Sequence, residues 1–145
     1  RFVPDHTRES APAPDVLMVA GGSGSRALLD RPEVLEWIQR QAQRAEIVAS
    51  VCTGARLLAR AGLLDGLSAT THYENIAELA ALAPAATLVA DRRFVDHGRI
   101  ATSAGIAAGI DLSLHLVARL HGPETAEKTA RYMEYHWRND GGLQR

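Results

Sequence analysis

The sequence predicts an α/β domain built on a doubly wound, parallel sheet. Two kinds of observation lead there. The runs "DVLMVA" (15–20) and "EIVASV" (46–51) are short and almost continuously apolar, as strands buried on both faces must be. Each gives way to a segment whose apolar residues recur at helical spacing, and glycine or proline marks the joints.

Taken in order, residues 8–14 ("RESAPAP") read as a proline-punctuated loop before the first strand, 15–20. "GGSGSR" (21–26) breaks that strand. A helix then starts near Pro32, with Val34, Leu35, Ile38, Ala42 and Ala45 on one face. The second strand, 46–51, leads into a helix over 53–64 that Gly62 or Gly66 terminates. "SATTH" (68–72) reads as a short strand, and 73–82 as a third helix. Residues 86–91 and 92–103 form two or three strands, with "DHG" (96–98) as a hairpin turn. A long apolar helix over 104–120 is interrupted by "HGP", and a last helix spans 123–137. The end, "RNDGGLQR" (138–145), reads as a loose tail. There is no internal repeat and no low-complexity tract.

A chain of 145 residues can bury a substantial core, and residues 1–145 are read as one domain. A formal net charge of −1 offers no basic face to nucleic acid and no polybasic patch to a membrane. No apolar run approaches the roughly 18–20 residues a bilayer span needs. The single cysteine can form neither an intramolecular disulfide nor a cysteine-rich zinc site, so a reducing, cytoplasmic location is expected. The chain opens on "RFVPDHTRES", with no initiator methionine and no signal-peptide pattern. "FVPDH" reads as the tail of a strand entering a loop, and an N-terminal part of the domain is expected to precede Arg1.

That cysteine, Cys52, falls between a buried strand and a helix, where the chain turns sharply. Ligands of doubly wound folds collect outside the carboxyl ends of the strands, and a side chain at such an elbow is presented there. The following helix start brings unpaired N–H groups and the positive dipole end, which favour thiolate over thiol. Free cysteine is also among the most buried residue types, so Cys52 can equally be space-filling. Its position favours the reactive reading.

"VAGGSG" ends the preceding strand. The Gly22 and Thr53 amides can make an oxyanion hole beside Cys52, although alone the stretch is a plain strand-to-helix turn. His72 follows "ATT" at the same expected sheet edge, as a general base, an orienting group or a structural residue. Neither GxxxxGK[ST] nor GxGxxG occurs, and the other histidines show no metal-ligand spacing, so no cofactor and no metal are expected. Asp111 and His115, one turn apart, suit an i,i+4 pair. Met133, Tyr135 and Trp137 read as core or interface, and Arg92 and Arg93 as solvated.

The blocks "DVLMVAGGSG", "ASVCTGARLLARAGLLDGLSATTH" and "RFVDHGRIATSAGIAAGIDLSLHLVARL" resemble the ThiJ/PfpI family of the class I glutamine-amidotransferase-like superfamily. The resemblance runs from the first strand to about Tyr135. It implies a flavodoxin-like three-layer α/β/α sandwich with Cys52 as elbow nucleophile, oxyanion-hole amides on Gly22 and Thr53, and His72 near the cysteine. Cys-Thr at the elbow, with "AGLLDG", "ATTH" and "TSAG" after it, looks most like the isonitrile hydratase and AraC-sensor branch. Family members also carry an acidic residue on an N-terminal segment, facing the sulfur. Asp5, Glu9 and Asp15 follow the wrong strand to supply it. The family's first strand, first helix and second strand are likewise expected to lie outside this chain.

The resemblance implies a cysteine-nucleophile enzyme that hydrates or hydrolyses a small electrophile, as isonitrile hydratases do. A glyoxalase or deglycase activity is the enzymatic alternative. A redox or ligand sensor without turnover, as in AraC-type regulators, is the non-enzymatic one. The expected partners are a small-molecule substrate or ligand and a second copy in a homodimer.

Overall fold

The computed structural model describes residues 3–141. In chain order the first half holds β1 (Val16–Val19), α1 (Gly24–Ala27), α2 (Pro32–Arg44), β2 (Ile47–Val51), α3 (Ala55–Arg60) and β3 (Ser68–Ala69). The second half holds α4 (Ile76–Leu82), β4 (Thr87–Leu88), β5 (Phe94–Asp96), β6 (Ile100–Ser103), α5 (Ala108–His121) and α6 (Pro123–Tyr132).

Four strands form the main sheet in the order β1-β2-β6-β5; β3 and β4 make a separate parallel pair. β1, β2 and β6 run parallel, with Val19 opposite Ser50 and Val51 opposite Ser103. β5 returns antiparallel to β6 through the expected "DHG" turn, where Gly98 has φ +79° and its N–H donates to Asp96 Oδ1. The sheet is mixed but mostly parallel, as the sequence predicts.

Alternation along β2 divides the core. Val48 faces a cluster with Leu17, Val19, Ile38, Leu57, Leu58 and Leu79, contributed by β1, α2, α3 and α4. Ile47 and Ala49 face the other way, toward Leu112 and Leu116 of α5 and Phe94 of β5. Helices therefore cover both sides of β2, and α6 packs on α5. β1 departs from the expected double burial. Leu17 and Val19 are buried, but Met18 on the opposite face of this edge strand is 42% exposed, and on that face only Val16 packs against the cluster that contains Leu112 and Leu116.

Several boundaries are shorter than expected, each for a local reason. The helix expected over 53–64 is a 3₁₀ turn, Cys52–Gly54, followed by the six residues of α3. α5 ends at Gly122, whose φ of +87° only glycine adopts without cost, and Pro123 starts α6. α6 stops at Tyr132 and not at residue 137. Glu134 takes φ +53° and donates to Arg131 O, while the Tyr135 N–H donates to Ala130 O, closing a Schellman motif.

The chain then folds back onto the N-terminal end of α5. Tyr135 Oη donates to Asp111 Oδ2, Trp137 Nε1 to Asp111 O, and the Arg138 N–H to Asp111 Oδ1. The Arg93 N–H donates to Gly141 O. The expected loose tail is thus tied down as far as Gly141, and residues 142–145 lie outside the described residues. Asp111 is fully buried and bound by Arg93 Nε at 2.5 Å. This corrects two expectations: Arg93 is not solvated, and Asp111 does not pair with His115. His115 Nε2 instead meets Asp96 Oδ2 at 2.6 Å. The buried Asp111 carboxylate is already taken by Arg93, Tyr135 and Arg138, which leaves His115 to Asp96 on the neighbouring strand.

Candidate active site

Parallel pairing in register carries the ends of β1, β2 and β6 to one edge of the sheet. Ala20–Gly22, Cys52–Thr53 and Ala104–Ile106 come together there, although they are far apart in sequence. The elbow is tightly interlocked. A Cβ on Gly54 would lie 2.2 Å from Val19 O, so only glycine lets the turn after Cys52 pass the end of β1. Cys52 itself has φ +56°, unfavourable for any residue with a Cβ. Its side chain is half-buried, and its carbonyl accepts from Thr71 Oγ1 at 2.8 Å.

The Thr71 bond also brings His72 to the edge. The Thr70 N–H donates to Thr102 Oγ1, so the segment after β3 is pinned both to β6 and to the elbow. The His72 ring lies over Gly105, where a Cβ would come within 2.3 Å of His72 Cδ2. His72 Nδ1 accepts from the Glu74 N–H at 3.4 Å and lies 3.8 Å from Glu74 Oε2.

Cys52, Thr53, Gly22 and His72 line one cleft of about 900 Å³. The Gly22 amide does not stand free in it. It donates to Thr53 Oγ1 at 2.8 Å, and the Thr53 hydroxyl donates to Gly22 O at 3.2 Å. The two loops expected to present donors to a ligand are thus hydrogen-bonded to each other.

The cleft holds other groups that the sequence did not mark: Arg26, Arg56, Glu74, Asn75 and Ile106. Arg56 is 5% exposed. From α3 it donates to Asn75 Oδ1 and Glu78 Oε2, and at 3.4 Å to Ser25 Oγ in α1, just after the glycines. It thereby ties both walls of the cleft to the helix that follows Cys52. The available signal was an arginine one turn after Cys52 in an otherwise apolar run, "ARLLA". Glu74 accepts from Tyr73 Oη at 3.0 Å, and that bond pushes the Tyr73 phenol above its ordinary range. Among the described residues, no three His, Cys, Asp or Glu side chains gather to hold a metal ion, and no helix is long and apolar enough to cross a membrane.

A mostly parallel α/β sheet with a strained cysteine at a strand-to-helix elbow, facing a cleft, defines a class of α/β domains that carry a cysteine at this turn. Within it the chain belongs to the DJ-1/PfpI family, whose sequence model matches residues 1–119. It is 42% identical over 132 residues to an isonitrile hydratase of Pseudomonas putida, covering 91% of this chain and 57% of that protein. It is 35% identical over 135 residues to the HTH-type transcriptional regulator GbdR of Pseudomonas aeruginosa, covering 93% of this chain and 36% of the regulator. A crystal structure of a ThiJ/PfpI family protein from Pseudomonas syringae superposes with a TM-score of 0.84 at 33% identity, covering 92% of this chain and 55% of that one. The chain thus spans little more than half the length of the hydratase, and about a third of the regulator.

Proposed function

We propose that this chain carries the nucleophile of a small-molecule hydratase, with an alkyl isonitrile as substrate. The observation that supports this most is the 42% identity to an isonitrile hydratase, across a segment that includes a strained, cleft-facing Cys52. In the proposed reaction the Cys52 sulfur bonds to the terminal isonitrile carbon, and the proton lost by the thiol ends on that carbon. Water then adds to the same carbon. One proton of that water ends on nitrogen, the C–S bond breaks with its electron pair returning to sulfur, and the other proton restores the thiol, so that R–NC plus H₂O gives the N-substituted formamide R–NH–CHO.

In this reading the Thr53 and Gly22 amides oppose the charge that develops during addition. Gly22 takes part by exchanging the Thr53 hydroxyl for the substrate, since its N–H is bonded to that hydroxyl beforehand. His72 moves the proton through Nε2. Arg56 is a positioning residue that holds Ser25 and Asn75 in place. Homodimerisation belongs to the same proposal and is read by sedimentation.

The test is formamide formation, followed by proton NMR with an alkyl isonitrile. Turnover by the wild type and its loss in Cys52→Ser, at an unchanged unfolding temperature, is the expected result. Equal turnover in both proteins would remove Cys52 from the reaction.

Similarity to the regulators GbdR and CdhR supports a second reading, in which the cleft binds a ligand without turning it over. Saturable isonitrile or carbonyl binding by calorimetry with no product would favour that sensor. Consumption of a glyoxal in place of the isonitrile would favour the glyoxalase or deglycase alternative.

A further inference from the structure

Ile106 lies on the turn into α5, where its carbonyl accepts from the Gly109 N–H, but nothing in the fold covers its side chain. Its φ of +44° is a conformation that β-branched residues avoid, and its side chain is 81% exposed. Backbone preference favours glycine or asparagine there, and burial of apolar surface favours neither the position nor the exposure. A strained apolar residue held out of the core at the rim of a cleft is accounted for by what it touches when the cleft is filled.

Ile106 and His72 are shared by two hollows. One is the cleft around Cys52. The other, of about 320 Å³, lies on the far side of His72 and is lined largely by small residues: Thr71, Ala90, Ala104, Gly105, Ala107 and Ala108. Its two larger polar neighbours are already engaged, Arg93 by the Asp111 carboxylate and Tyr73 by Glu74. The hollow therefore offers an apolar group contact and room, and offers an ionised group no uncompensated charge.

We propose that this second hollow is a subsite for the short hydrocarbon group of the substrate, and that Ile106 is the specificity-determining contact at its threshold. Resting on the reading of Cys52 as the cleft's nucleophile, the proposal deepens it: the substrate is an uncharged electrophile bearing a hydrocarbon group small enough for a hollow of about 320 Å³. The electrophilic carbon lies at Cys52 and the alkyl group passes Ile106.

The experiment compares two thiol reagents that differ only in that group, N-methylmaleimide and N-cyclohexylmaleimide. Intact mass follows the adduct, and Cys52 is the only cysteine that can carry it. Ile106→Gly removes the wall in a conformation glycine adopts freely, and Ala107→Leu fills the hollow from an exposed position. Both are expected to lower the cyclohexyl reagent's rate roughly tenfold more than the methyl reagent's, as loss of apolar pocket contacts does. A wild type that reacts with both reagents, and whose rate ratio ignores both substitutions, would overturn the subsite alone. A wild type that reacts with neither would overturn the reading of Cys52, and the subsite with it.

Discussion

Asp111 and Arg56 are both charges buried in the same domain, and they are accommodated differently. Asp111 accepts from Arg93, Tyr135 Oη and the Arg138 N–H, and none of its atoms is left buried without a partner. Burial and that carboxylate push the Tyr135 phenol above its ordinary value, so the phenol stays a donor. Arg56 binds Ser25, Asn75 and Glu78, but its Nε is buried with no partner. The first cluster fastens the end of the chain to α5 and takes no part in the Cys52 cleft. The second forms a wall of the Cys52 cleft. Polar satisfaction is complete at Asp111 and incomplete at Arg56, and the cleft also holds two of the three non-glycine residues with positive φ among the described residues, Cys52 and Ile106, the third being Glu134 at the end of α6.

Breaking the Asp111 cluster has the largest expected effect. Asp111→Ala leaves Arg93 buried without its counter-ion and releases the 135–138 segment, at a cost of about 3–5 kcal/mol in chemical denaturation. Arg56→Met removes a charge whose partner Glu78 is 30% exposed and can regain water, so the loss is smaller, about 2 kcal/mol. Its effect on the cleft is the larger one. The rate of Cys52 alkylation by iodoacetamide should fall severalfold more in Arg56→Met than in Asp111→Ala. If the order is reversed, the contrast between a fastening and a cleft wall does not hold.

The smallest effect concerns a third ionic group. Burial pushes the Asp96 carboxyl up, but the His115 bond, the Gly98 N–H and the Arg119 and His115 charges more than offset it and hold the carboxyl below its ordinary value. A carboxyl lowered by folding adds stability above its unfolded pKa of about 4, and that stability is lost as pH falls through the lowered value. Wild-type stability should therefore drop more steeply than that of Asp96→Asn as the pH is taken below about 4. Parallel curves would mean that Asp96 carries no net charge coupling to the fold.

The arrangement of the site was legible to the extent that it depends on strand ends. Apolar runs identified β1 and β2, and parallel pairing then placed Gly22 and Cys52 at one edge whatever the side chains do. His72 was legible for the same reason, as a residue following a strand. Pairings made through space were not. Arg93 and Asp111 are separated by a hairpin and a helix start, and nothing in their spacing distinguishes a buried pair from two solvated charges. The bond from the Gly22 amide to the Thr53 hydroxyl was missed because a glycine loop reads as open donors until a neighbouring side chain fills them. The 3₁₀ turn that shortens α3, and the backbone strain at Cys52 and Ile106, depend on tertiary packing that local propensity does not encode.

The measurement that bears most directly on Cys52 as a presented nucleophile is its iodoacetamide alkylation rate at neutral pH, in the native chain and in the same chain unfolded in urea. A cleft that holds the reagent against the sulfur predicts faster reaction in the native chain, although the unfolded chain exposes the thiol more fully. Slower reaction in the native chain would make Cys52 a packing residue and contradict the account.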